Sequence, residues 1–199
     1  MFRQAILSHI ITAKHAAPLM IRARRGLIVE VTEGDTLSAG GNPLTQTVKL
    51  ALKGHALNMA AELHQHGVAA IAIVPGFLRS ESMLEHFGVT EATWRDGGKK
   101  DKNFLASESP LFVGRAVAAL AADPNVLERN GQLCSSWELA RVYGFTDANG
   151  SRPDWGAHVI DWSAFPAAFI QMFRDGAAQQ SAWLKTLSDR AEAFQRRIP

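Results

Sequence analysis

The sequence predicts an α/β protein of three layers, with helices on both faces of a short parallel sheet. Three observations carry that reading. The apolar run Val68-Ala-Ala-Ile-Ala-Ile-Val74 has the length of a strand buried on both faces. A similar run, Leu27-Ile28-Val29-Glu30-Val31, precedes it, and between the two Val48, Leu52, Ala56, Met59 and Leu63 recur at steps of three and four, the stripe of an amphipathic helix. Strand, helix and strand of these lengths form a βαβ unit with parallel strands and a right-handed crossover.

The elements follow in order. From Phe2, the residues Ile6, Ile10, Ala13, Ala17 and Met20 mark a first helix, and Arg22, Arg24 and Arg25 lie where a helix C-terminus favours cations. Gly26 ends that helix before the first strand. Thr32 to Pro43, with Gly34, Asp35, Ser38, Gly40, Gly41 and Asn42, has loop chemistry. His66-Gly67 closes the second helix, and Pro75-Gly76 ends the second strand. Residues 77–107 mix short helical pieces with the polar stretch GGKKDK and are expected to form a mobile flap or insertion. Ser109-Pro110 opens a helix to about Ala122, which Asp123-Pro124-Asn125 breaks. Gly131 to Ser135 is a third short strand, and a last amphipathic helix is expected over residues 164–196. No internal repeat divides the chain, so residues 1–199 are taken as one domain.

With 199 residues, 47% hydrophobic and 20% charged, the chain has ordinary globular composition. Its 21 Lys and Arg against 19 Asp and Glu leave a formal charge of +2, too little for a nucleic-acid scaffold, and no nucleic-acid partner is expected. Arg3, Gln4, Ser8, His9, Lys14 and His15 interrupt what would have to be the apolar core of a signal peptide. The longest apolar run, Val68–Val74, is far short of the ~20 residues that span a bilayer, so no membrane partner is expected. Cys134, the one cysteine, cannot form an internal disulfide, and a cytoplasmic protein is expected.

Several signatures of chemistry are missing. No stretch matches G-x-G-x-x-G, G-x-x-x-x-G-K-[ST] or G-x-S-x-G. Ser135 and Ser136 read as strand-end or cap hydroxyls. His64 and His66 point apart on a helix, Glu62 and His66 read as a surface pair, and no metal is expected. Lys49 is more informative. It sits near the start of a helix that follows a strand, close to the C-terminal edge of the sheet, where open α/β sheets bind ligands. Thr32, Glu33 and Asp35 leave the first strand at that edge, and Pro75, Gly76 and Ser80 follow the second. Three segments therefore meet at one crevice. Lys49 reads equally as a ligand-facing residue or as a lysine snorkelling along the helix.

The strand LIVEV, its loop, the lysine-bearing helix and HGVAAIAIVPGFLRSE resemble the C-terminal part of a short-chain dehydrogenase/reductase. The segment from Ser135-Ser136-Trp137 through Tyr143-Gly144-Phe145-Thr146-Asp147 and Gly150 is similar to the ending of one bacterial branch of that family. The resemblance implies a partial Rossmann-like fold and NAD(P) as cofactor, with Lys49 the lysine of the family's Tyr-x-x-x-Lys pair in both catalysis and cofactor binding. Four residues before it stands Thr45 in place of the tyrosine, and the substrate-orienting serine falls at Thr32, or at Glu33 if the strand is aligned directly. The resemblance also implies cofactor contacts at Pro75, Gly76 and Ser80.

Two departures bear on activity. A phenol with a pKa near 10 can be drawn toward neutrality by a neighbouring cation, whereas an aliphatic hydroxyl is a far weaker acid. The only tyrosine, Tyr143, lies in the C-terminal motif, and no asparagine precedes Asn42 to complete the family's relay. The family's glycine-rich phosphate turn belongs to a segment before this chain's start, so a truncated protein, weakly active or inactive as a reductase, is expected. The alternative is a non-catalytic dimerising or ligand-binding scaffold. A third reading recruits Thr32, Glu33, Asp35 or Lys49 for another reaction. The resemblance implies a homodimer through helices 2–24 and 45–66, and the strand at 27–31 is expected to present a bare edge that favours oligomerisation.

Overall fold

The computed structural model describes residues 2–33 and 43–159. The helix expected over 164–196 and most of the 32–43 loop lie outside the described residues.

The most apolar segment of the chain takes the centre of the sheet. β2 (Val68–Val74) is buried at every position and pairs in parallel with β1 (Gly26–Val31) on one side and β3 (Leu133–Ser135) on the other. Gly26 lies opposite Val68 and Val31 opposite Ile73, while Ala72 lies opposite Leu133 and Val74 opposite Ser135. Because side chains alternate along a strand, β2 feeds two cores. Val68 and Ala70 face Met59, Ala60 and Leu63 of α2 (Pro43–Leu63), with Ala13, Ala17, Met20 and Ile21 of α1 (Ser8–Ala23) packed alongside. Ile71 and Ile73 face the other way, onto Ala116 and Leu120 of α4 (Pro110–Ala122) and Leu139 of α5 (Ser136–Tyr143). The three-layer α/β/α arrangement with a short parallel sheet is thus present, and the five stripe residues read from the sequence of α2 are all buried.

Turn geometry sets how the layers join. Arg24 ends α1 in the left-handed conformation, and Gly67 turns into β2 with φ +75°. A Cβ on Gly67 would lie 2.5 Å from the Arg24 carbonyl oxygen, so only glycine admits this contact between the starts of β1 and β2. α1 is preceded by a π-helical turn, Arg3–Leu7, and leaves Phe2, Leu7, Ile10, Ile11 and Leu19 exposed. Ile10, assigned to the buried stripe by periodicity, therefore lies outside the packed face, which runs through Ala13, Ala17 and Met20 instead. β1 has a strand neighbour on one side only among the described residues.

Residues 77–107 contain α3 (Glu81–Phe87) and two 3-10 turns. They close around their own aromatic cluster, in which Phe104 stacks on Phe87 at 4.2 Å and meets Phe77 and Trp94 edge-on. The third strand is shorter than the run read from the sequence, beginning at Leu133 rather than Gly131. Gly131 at φ +75° cannot extend it. The last described element is α6 (Trp155–Val159). Among the described residues, no helix is long and apolar enough to cross a membrane.

Phe104 is fully buried, so Phe104→Ala is expected to cost about 3–5 kcal/mol. Urea unfolding followed by tryptophan fluorescence measures this. A loss under about 0.5 kcal/mol, the range of surface substitutions, would show that the 77–107 segment is not part of the cooperative core.

Candidate functional site at the carboxyl edge of the sheet

Parallel strands bring their C-terminal ends to one edge, and here that edge collects Thr32 and Glu33 after β1, Pro75 and Gly76 after β2, and Ser136 after β3. α2 runs back from the same edge, and Thr45 and Lys49, one turn apart, share a helix face. The buried Thr32 donates its hydroxyl to the Lys49 carbonyl oxygen at 3.0 Å and its amide to the Ile73 carbonyl oxygen at 2.9 Å. This residue therefore ties strand end, helix and neighbouring strand together. The Lys49 ammonium group is partly exposed and lies 3.7 Å from the exposed Glu33 carboxylate. Such an exposed pair is weak and leaves the ammonium group exchangeable toward a ligand.

The other residues assigned to the cofactor have different partners. Ser80 caps the N-terminus of α3, its hydroxyl oxygen accepting from the Met83 amide at 3.3 Å. The Gly76 amide donates to Oε2 of Glu108 at 2.9 Å. A Cβ on Gly76 would stand 2.7 Å from the Cβ of Trp155 and 2.9 Å from that carboxyl oxygen, so the turn requires glycine for space. Ser135 caps α5 in a reciprocal capping box with Glu138, as its sequence context suggests. Ser136 instead donates to Oε2 of Glu108 at 2.6 Å.

The structure therefore centres this half of the edge on residues without a local sequence signal. Glu108 is almost fully buried; desolvation pushes its carboxyl pKa from 4.5 up to about 7, against the pull of the Ser136 hydroxyl and the Gly76 amide. Its neighbour Asp147 is equally buried. Burial raises that carboxyl, but the Ser109 hydroxyl and amide, the Ala148 amide and Arg79 outweigh it and hold its pKa below the usual value. Arg79, also buried, joins Glu91, Ser107 and Asp147 and stacks on Trp94 at 4.2 Å. The partners of Glu108 lie some thirty residues away in sequence, which no short motif reveals. Glu30 offered a signal, a lone carboxylate in an apolar strand. It is buried, and His9 of α1 and His55 of α2 each turn Nδ1 onto it.

Tyr143 cannot substitute for a phenol at Thr45. α5 starts at the carboxyl edge and runs back along the sheet, so its last residue lies toward the opposite edge. There Tyr143 donates to Asp123 and accepts from Arg129, and burial together with that carboxylate raises its pKa above the ordinary 10. Two open surface grooves, of about 570 and 400 Å³, also lie on this side of the molecule, one along β3 and α5 and one over Asp123, Arg129 and Tyr143. Neither reaches Lys49. Among the described residues no cluster of His, Cys, Asp and Glu is arranged to hold a metal ion.

Comparison with known proteins bears on the same region. Residues 1–88 match the short chain dehydrogenase family model. That match, together with the relatives that follow, supports a place for the chain in the short-chain dehydrogenase/reductase family. It is 36% identical over 189 residues to dehydrogenase/reductase SDR family member 1 of Mus musculus, covering 90% of this chain and 58% of that protein. The Homo sapiens protein of the same name is 34% identical over 143 residues, covering 71% and 46%. The chain thus spans about half the length of these relatives. Among solved structures, ElxO with NADP bound superposes with a TM-score of 0.54 at 21% identity, over 66% of this chain and 52% of that one. The TT0495 protein of Thermus thermophilus gives 0.53 at 23%, over 67% and 56%. These two likenesses establish the fold.

A carboxyl whose folded pKa is raised stabilises the fold fully below its unfolded pKa, and that contribution disappears as pH rises through the folded value. For Glu108 the window runs from about 4.5 to about 7. Glu108→Gln removes the titration, so its stability relative to the native chain is expected to improve by about 3 kcal/mol from the acid side of that window to the alkaline side, read from urea midpoints at both limits. A constant difference would show that Glu108 does not titrate in that window.

Proposed function

We propose that the chain binds NAD(P) at the carboxyl edge of its sheet through Lys49, and that it has weak or no reductase activity of the family's usual kind. The observation that carries this reading is the position of Lys49: it is fixed by Thr32 at the strand end, and its ammonium group pairs with an exposed carboxylate that a ligand can displace. The residues present fit the sugar end of the cofactor, since a lysine ammonium group at this edge offers donors to ribose hydroxyls. They supply no phosphate cradle among the described residues, and the Gly76 amide and Ser80 hydroxyl are already engaged by Glu108 and by the α3 cap.

In this reading Lys49 binds and orients, Thr32 holds the helix that carries it, and the Pro75-Gly76 turn shapes the floor of the crevice. The cofactor, when bound, supplies hydride chemistry. Thr45 lies one helical turn from Lys49, where the resemblance implies a tyrosine, and its aliphatic hydroxyl lacks the acidity to protonate a developing alkoxide.

A second reading, a dimerising scaffold of cytoplasmic type, is favoured by the exposed apolar side chains of the two outer helices. Phe2, Leu7, Ile10, Ile11 and Leu19 on or before α1, and Leu44, Leu50 and Leu57 on α2, are exposed within the single chain. A second copy packing its equivalent helices there, over residues 2–24 and 45–66, would cover them.

Calorimetric titration of NADPH and NADH separates the readings. Binding in the native chain that weakens at least tenfold in Lys49→Ala supports the cofactor reading, and Thr45→Tyr is then expected to raise NADPH-dependent carbonyl reduction above the native level. No binding at millimolar cofactor, with a dimer by sedimentation, would replace the first reading with the second.

A further inference from the structure

The Glu108 side chain occupies an unusual position between two strand ends. Its Oε2 accepts both the Gly76 amide, at the end of β2, and the Ser136 hydroxyl, at the start of α5 directly after β3. Its backbone extends the same junction: the Glu108 amide donates to the Phe77 carbonyl oxygen at 2.9 Å, and its carbonyl oxygen accepts from the Arg79 amide at 2.8 Å, laying residue 108 parallel to Leu78. The other carboxyl oxygen, Oε1, is buried with no hydrogen-bond partner. A buried polar atom left this way is costly.

The charged groups around it do not satisfy that oxygen. Arg79, from the segment after β2, divides its guanidinium among Glu91, Ser107 and Asp147. Asp147, from the segment after α5, adds a negative charge nearby. Glu138 on α5 is closed onto Ser135. Among the described residues no cation lies at ion-pair distance from Glu108.

We propose that Glu108 is a positioning residue for the Pro75-Gly76 turn, tying the end of β2 to the start of α5 while it carries a proton and loosening the turn when the proton leaves. In the neutral form the proton sits on Oε1, and Oε2 accepts from both donors. In the ionised form the negative Oε1 needs donors that its buried surroundings lack, and hydrating it requires the packing around the turn to open. The consequence for ligand affinity rests on the cofactor reading above, because the turn forms part of the crevice beside Lys49. The clamp itself does not depend on that reading.

Hydrogen exchange at the Gly76 amide tests the clamp without any ligand. With the Ile71 amide of β2 as internal reference, the protection of Gly76, corrected for intrinsic exchange, is expected to fall at least tenfold from pH 6 to pH 8 in the native chain. In Glu108→Gln, which keeps an accepting oxygen without the titration, it is expected to stay level. Equal protection at both pH values in the native chain, or the same fall in the variant, overturns the proposal. A second arm measures NADPH affinity at pH 6 and pH 8. Where NADPH binds, a severalfold weakening in the native chain that is absent from Glu108→Gln supports a positioning role toward the ligand, and pH-independent binding overturns that part. If NADPH does not bind at all, the cofactor reading fails while the exchange data still decide the clamp.

Discussion

The complete burial of β2 is the constraint from which the rest of the structure follows. A strand with no exposed residue must have helices on both faces and partners on both edges. The chain meets that demand by sending α2 over one face and α4 with α5 over the other, and α2 and α5 each return from the carboxyl edge of the sheet. Parallel pairing then gathers three loop-helix junctions at that edge. The candidate site is thus a by-product of burying seven apolar residues, and Lys49, Thr32 and the Pro75-Gly76 turn are neighbours because β2 lies beneath them.

The edge divides into two chemically distinct halves. Around Lys49 the polar groups are partly exposed, and an ammonium group faces an exposed carboxylate. Around Gly76 they are buried, and Glu108, Asp147 and Arg79 depend on one another and on backbone donors. The first half can exchange a surface partner for a ligand at little cost. The second cannot expose its carboxyls without hydrating them, which makes it a framework whose state depends on protons. In the proposed reading, the threonine one turn before Lys49 leaves binding and orientation to this half of the edge.

Much of the fold was legible in the sequence because it rests on periodicity. β2 runs over the same residues read from its apolar run, and the stripe Val48, Leu52, Ala56, Met59 and Leu63 is the buried face of α2. Periodicity misplaced Ile10, since α1 is apolar on more than one face and its packing side is fixed by contact with α2 and β1. At the site, Lys49 and Thr32 could be placed by their distance from strand ends, but the hydroxyl of Thr32 turns to the helix backbone, and that of Ser80 to its cap. Glu108 was invisible because its partners are Gly76 and Ser136, distant in sequence and joined only by the sheet. The two histidines on Glu30 escaped for the same reason, although a carboxylate in an otherwise apolar strand signalled that partners were needed.

In the proposed function, ligand binding belongs to the carboxyl edge beside Lys49 and not to the open grooves near β3. Backbone amide shifts of the 15N-labelled chain during NADPH titration test it most directly. Perturbations are expected to concentrate at Thr32, Glu33, Lys49 and Gly76. Perturbations centred on Asp123, Arg129 and Tyr143, or none at millimolar NADPH, would contradict it.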